Sequence, residues 1–310
     1  MPSWRTTLTR AGISDPRLRE DYTRTARRVL RREPAPYATL RLLAAPSLVP
    51  PLVAGLAFMN LVDDTAETGT PEQRAAGLAE LTGRVGAALA GEEGTDPLLR
   101  AYADAVRTRN LPVHWLTRFL DGAATAEATF DGFADEAAFQ AYLDAYAWPG
   151  VLVFIGLQHQ DGPDERQAAG WRRFVDAAQR VDFLADLAGD LADGRLCLPR
   201  ARLAEHGVTR TDLEQARDTP AVRDLLAAEC QRARTALAAT DGLADLAEPG
   251  LRPVVTAMTE LMAHQLVAVE RAGAGALRKD VGYGLAAPVR TMLRARTLGR
   301  PTAPTTRTAV

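Results

Sequence analysis

The 310-residue sequence predicts an all-α protein. Three observations carry that expectation. Ala, Leu and Arg dominate and good helix formers run through the whole chain. The alternation of Val, Ile, Thr and Tyr that marks strands is nearly absent. Turn signals are short, and no polar linker is long enough to divide the chain. Residues 1–298 therefore read as a single all-α domain, with a disordered tail over 299–310.

Taken in order, Asp15-Pro16 opens a polar helix over 17–32, because proline suits the first helical position, where the N–H has no partner anyway. Residues 42–62 carry no charge and are numerous enough to cross a membrane. Pro46, Pro50 and Pro51 would break a continuous span, Asp63 and Asp64 follow without a basic flank, and no second such segment exists. The stretch reads instead as a short helix ending near Ala45, a proline turn and a buried helix from about Pro51, so no transmembrane span is expected. Thr70-Pro71 opens a helix to about Leu89, and the "GEEGTDP" run is a loop. Helices follow over 97–108 and 112–129. A long apolar segment over 136–158 is interrupted at "WPG", and a long amphipathic helix over 164–193 is closed by Gly194. Helices over 211–217, 220–240, 253–273 and 286–296 complete the chain.

A net charge of -2 supplies no basic surface for a nucleic acid. Cys197 and Cys230 do not make a disulfide framework, and the N-terminus lacks the apolar core of a signal peptide, so a cytoplasmic protein is expected. His114, His159, His206 and His264 are scattered without metal-ligand spacing.

Chemistry concentrates in two acidic stretches. In "LVDDTAETG", Asp63 and Glu67 are spaced i, i+4 and share one helical face, with Asp64 beside them. The helix that carries them is otherwise apolar, and buried like charges are costly unless something cancels them. In "QRVDFLADLAGDLADGRLCLP", Asp182, Asp186 and Asp190 form a straight i, i+4, i+8 stripe with no basic partner among them. Two such helices facing each other across a bundle make a cage for Mg²⁺, an ion that keeps several waters and bridges to phosphate oxygens. That chemistry suits ionisation of an allylic diphosphate in an apolar cavity.

These two stretches resemble the signatures of the phytoene/squalene synthase family of trans-prenyltransferases. "LAFMNLVDDTAETG" is similar to the family's "YAFCRxxDDxxD", with Glu67 in the last acidic place. "QRVDFLADLAGDLADGRLCLP" is similar to "QxTNxLRDxxEDxxRGRxYLP". "FLDG" at 119–122 and "YLDAYAWPG" at 142–150 match weaker family helices, and the resemblance spans roughly 22–296. It implies an isoprenoid-synthase helical bundle with a central cavity. It also implies Mg²⁺ ligands at Asp63, Glu67, Asp186 and Asp190, joined by Asp64 and Asp182. Diphosphate or substrate contacts are implied at Arg41, Gln179 and Arg195. Tyr37, before the buried helices, and Trp148 are candidate pocket residues on their own chemistry, with core packing as the other reading of each. The implied partners are an allylic prenyl diphosphate and a small-molecule acceptor, and a homodimer stays open.

Departures from the pattern bear on the reaction. Ala185 stands for the family's Arg, Gly189 for its Glu, Asp182 for its Asn and Cys197 for its Tyr. "AATAEAT" at 123–129 lacks the family's acidic and Arg-Tyr pattern. The small-residue "AGxVG" stretch becomes "AWPGVLVFIG", whose bulk is expected to shorten a channel. The favoured expectation is transfer of a short prenyl group, such as dimethylallyl, to an aromatic molecule such as a carbazole in secondary metabolism. Head-to-head condensation of two prenyl diphosphates is the alternative, and a non-catalytic helical protein the third reading.

Overall fold

The computed structural model describes residues 2–92, 94–158, 162–282, 284 and 291. Its α-helices are α1 Trp4–Arg10, α2 Pro16–Arg32, α3 Pro34–Leu43, α4 Val49–Glu67, α5 Pro71–Ala90, α6 Pro97–Thr108, α7 Val113–Gly122 and α8 Glu136–Tyr142. They continue as α9 Trp148–Ile155, α10 Glu165–Ala185, α11 Leu187–Ala192, α12 Arg200–Glu205, α13 Arg210–Glu214, α14 Pro220–Ala238, α15 Leu243–Leu246 and α16 Arg252–Ala272. No strand occurs among the described residues.

Local chemistry sets the helix ends. The Asp15 side chain accepts the Leu18 N–H at the start of α2, with Pro16 next in line. Thr70 with Gln73 and Asp164 with Gln167 form reciprocal capping boxes that open α5 and α10. Packing explains the uncharged run. α4 lies against α2, α5, α6 and α9, and its Leu52, Val53, Ala54, Phe58 and Val62 are fully enclosed. Phe58 stacks on Tyr102 of α6 with ring centroids 4.1 Å apart. The apolar stretch is thus the centre of a protein core, and no described helix is long and apolar enough to cross a membrane.

Four local features depart from expectation. Helix α1 is too short to show a period; it is held by Trp4 Nε1 donating to Thr23 Oγ1 at 2.9 Å. Helix α7 passes directly into a π turn at Ala123–Glu127, and α8 into another at Leu143–Ala147. The interruption therefore precedes Trp148, and α9 runs through "WPG" without a break. Pro149 has no N–H to offer the Ala145 carbonyl. That carbonyl instead faces Gly122, where an added Cβ would stand 2.0 Å from its oxygen. Finally, the helix expected over 164–193 breaks at Asp186, which has φ -99 and ψ 12. The expected helix over 286–296 lies outside the described residues save Thr291, and His159 and the 299–310 tail lie outside them altogether.

Candidate active site

The C-terminal turn of α4, the C-terminal half of α10 and the start of α11 bring the two acidic stretches together. Asp63 faces inward, and its Oδ1 accepts the Tyr146 hydroxyl from the second π turn. Burial pushes its carboxyl up to about 6, against the Tyr146 bond and with help from the charges of Glu127 and Asp64. Glu67, one turn on, opens to solvent but is walled by protein on its other sides; that enclosure, then the charges of Glu127, Asp63 and Asp190, raises it to about 7. Asp64 is about 100° further round the helix than Asp63. It turns to the rim, where Arg32 Nη2 of α2 lies 2.7 Å from its Oδ1.

Across from them, Asp182 is open to the cavity yet walled in by protein. That enclosure, followed by the charges of Asp186, Asp190 and Asp63, raises it to about 7. Asp186, exposed at the cavity, and Asp190, half-buried, are also raised, first by the protein around them. The mutual effects of Asp63 on Asp182 and of Asp190 on Glu67 place the two stripes within electrostatic reach of each other.

Between the stripes stands Glu127, which the sequence reading passed over. It is buried, and its two oxygens take the Tyr142 hydroxyl at 2.6 Å and Arg195 Nη2 at 2.6 Å. Arg195 also lies over the Phe130 ring at 4.6 Å and reaches within 4.0 Å of Asp190. The Cys197 thiol, raised by burial, bonds Asp190. The first π turn adds a residue to the α7 turn, which puts Glu127 on the interior side. Periodicity at 3.6 does not reveal such a rotation, although a single acid among small residues was a signal.

Beside the acids opens a cavity of about 620 Å³ between α3, α4, α9, α10 and α16. Asp182, Asp186 and Gln179 stand on its wall, and Leu56, Met59, Phe154, Phe174, Met258 and Leu261 make it apolar. Val151, Phe154 and Ile155 from the bulky stretch line the cavity without closing it. Its size is that of a site for a whole organic ligand, roughly 300–1,000 Å³.

A sequence model described as Squalene/phytoene synthase matches residues 19–286. This chain belongs to the squalene/phytoene synthase family. It is accordingly a prenyltransferase. A presqualene diphosphate synthase of Rhodopseudomonas palustris is 29% identical over 215 residues, covering 66% of this chain and 72% of that protein. A bifunctional protein CrtB/UppS of Streptomyces coelicolor is 28% identical over 211 residues, but the match covers only 36% of its length. Among solved structures, squalene synthase HpnC from Alicyclobacillus acidocaldarius superposes with a TM-score of 0.67 at 25% identity, over 92% of this chain and 98% of that one. A dehydrosqualene synthase superposes with a TM-score of 0.77 at 15% identity, over 91% and 97%, and shows the shared fold.

Within this squalene/phytoene synthase frame, not every expected contact gathers at the acids. Arg41 is buried but turned to α1, donating to Thr7 Oγ1 at 2.8 Å and the Pro2 carbonyl at 2.9 Å, with Trp4 stacked 5.4 Å away. It is held away from the acids because the N-terminal segment consumes its donors. Tyr37 and Trp148 pack against the main core and do not line the cavity. Asp64 is neutralised by Arg32.

The donor set suits Mg²⁺: it is all carboxylate oxygen, its members lie within electrostatic reach of one another, and their raised protonation reflects first the surrounding protein and then one another's negative charge, which Arg195 offsets only in part. Among the described residues no three acids, histidines or cysteines form a ready cage. Magnesium does not require one, since one or two carboxylates plus phosphate oxygens and waters complete its shell.

Proposed function

We propose that this prenyltransferase condenses two prenyl diphosphates head to head, the alternative in the sequence reading. The observation that carries it is the apolar cavity of about 620 Å³ that has Asp182 and Asp186 on its wall. A five-carbon dimethylallyl group would fill a small part of it, and the bulky 148–155 stretch, expected to shorten a channel, leaves it open. The relatives named for presqualene diphosphate and squalene synthesis support the same reaction type.

Asp63 and Glu67 from α4, with Asp186 and Asp190 at the α10–α11 junction, would hold Mg²⁺, and Asp182 would add charge beside them. Bound there, the ion would supply positive charge against the departing diphosphate. The residues themselves do the rest. The apolar wall excludes water from the allylic cation left when the C–O bond breaks with both electrons on the diphosphate. The Gln179 amide stands at the cavity wall, within the reach of a polar head group. Glu127 fixes Arg195 beside Asp190, so that a permanent cation stands at the edge of the acidic set. The double bond of the second chain provides the electron pair for the new C–C bond, and the cation this leaves on that chain is discharged by loss of a proton, for which the departed diphosphate is an acceptor.

Incubation with Mg²⁺ and farnesyl or geranylgeranyl diphosphate alone tests this. Mass spectrometry is expected to show a C30 or C40 product, as diphosphate ester or hydrocarbon, lost in Asp63→Ala and Asp186→Ala. Turnover only when dimethylallyl diphosphate and an aromatic acceptor are supplied would overturn the proposal.

A further inference from the structure

The two departures in the second acidic stretch, Ala185 for Arg and Gly189 for Glu, lie where the chain returns after α16. In a continuous helix the Ala185 carbonyl would accept the Gly189 N–H four residues on. Each half of that rung is taken by the returning chain instead. Val281 N–H donates to the Ala185 carbonyl at 2.8 Å, and Gly189 N–H donates to Asp280 Oδ1 at 2.8 Å. Gln265 Nε2 of α16 donates to the Val281 carbonyl, which ties this strap to a helix that walls the cavity.

Gly189 leaves the Asp280 carboxylate room to sit close against the helix backbone. A Cβ there would meet Asp280 Oδ2 at 3.0 Å and Oδ1 at 3.2 Å. The Asp280 carboxylate therefore occupies the space a side chain at 189 would enter, and a glutamate at 189 would both collide with it and repel it. The carboxylate of Asp280 stands on the backbone of the residue next to Asp190 and three after Asp186, on the same short helix turn. An asparagine at 280 would accept the same N–H without adding charge to a crowded acidic set.

We propose that Asp280 replaces, from outside the motif, the acid missing at position 189, and so completes the negative set around the metal and diphosphate. The proposal rests on Asp186 and Asp190 being the metal-holding pair. Calorimetric titration of Mg²⁺ into the full chain with inorganic diphosphate tests it, alongside turnover. Asp280→Asn is expected to keep the melting temperature, because the bond to Gly189 survives, and to weaken Mg²⁺ affinity about tenfold. Gly189→Glu alone weakens it too. The double variant Gly189→Glu/Asp280→Gly, with the acid restored and its space cleared, recovers most of the lost affinity.

Unchanged affinity in Asp280→Asn, or a double variant no better than Gly189→Glu, overturns the proposal. Asp186→Ala separates the two levels. If it abolishes binding while Asp280→Asn does nothing, only the surrogate role fails. If Asp186→Ala also binds normally, the metal assignment falls and this inference with it.

Discussion

Glu127 is a single carboxylate with two obligations. It neutralises Arg195 and accepts the Tyr142 hydroxyl, and its side chain is 1% exposed. Removing one member of a buried ion pair strands the other, at a cost of roughly 3–5 kcal/mol. Arg195 retains some contact with solvent, so Glu127→Ala is expected near the lower end, about 3 kcal/mol in urea unfolding. Glu127→Gln keeps one acceptor and should lose less. Equal losses in the two variants would show that the charge is irrelevant. This residue also marks where sequence reading stopped. Asp63, Glu67 and Asp182 were legible because i, i+4 spacing on a regular helix fixes a shared face. Glu127 follows a π turn, which rotates the face, and Arg41 is claimed by a partner 34 positions away that no local pattern announces.

At the scale of elements, the start and end signals read well because they are short-range chemistry: a capping Asp or Thr, a proline at the first turn, a glycine at the close. The crossing of two helices was not legible, since it depends on residues far apart in the chain. Gly122 shows the consequence. In an ordinary helix, Gly→Ala stabilises by about 1 kcal/mol. Here the new Cβ would lie 2.0 Å from the Ala145 carbonyl oxygen, a backbone atom that cannot rotate away. The sign should reverse. Gly122→Ala is expected to destabilise by about 3 kcal/mol, as overpacking does. It should also disturb Asp63 through Tyr146, which sits in the π turn that would be displaced. A variant with wild-type stability in urea would refute the close crossing.

For the whole molecule, the acidic set links folding to pH and to metal. In the unfolded chain Asp and Glu titrate near 4. In the folded protein Asp63 is raised to about 6 and Glu67 and Asp182 to about 7. Between those limits the native state binds more protons than the unfolded state, so these groups make stability fall as pH rises, with the loss complete above about pH 7. Asp182→Asn cannot ionise and escapes its share of that loss. Without divalent cation, the melting temperature of Asp182→Asn should exceed that of the wild type by a margin that widens from pH 5 to pH 8. Mg²⁺ with inorganic diphosphate binds the deprotonated set, so it should raise the wild-type melting temperature more at pH 8 than at pH 5.5. A margin that stays constant with pH would mean that Asp182 ionises without cost, and the facing acids would then be too well solvated to need a cation between them.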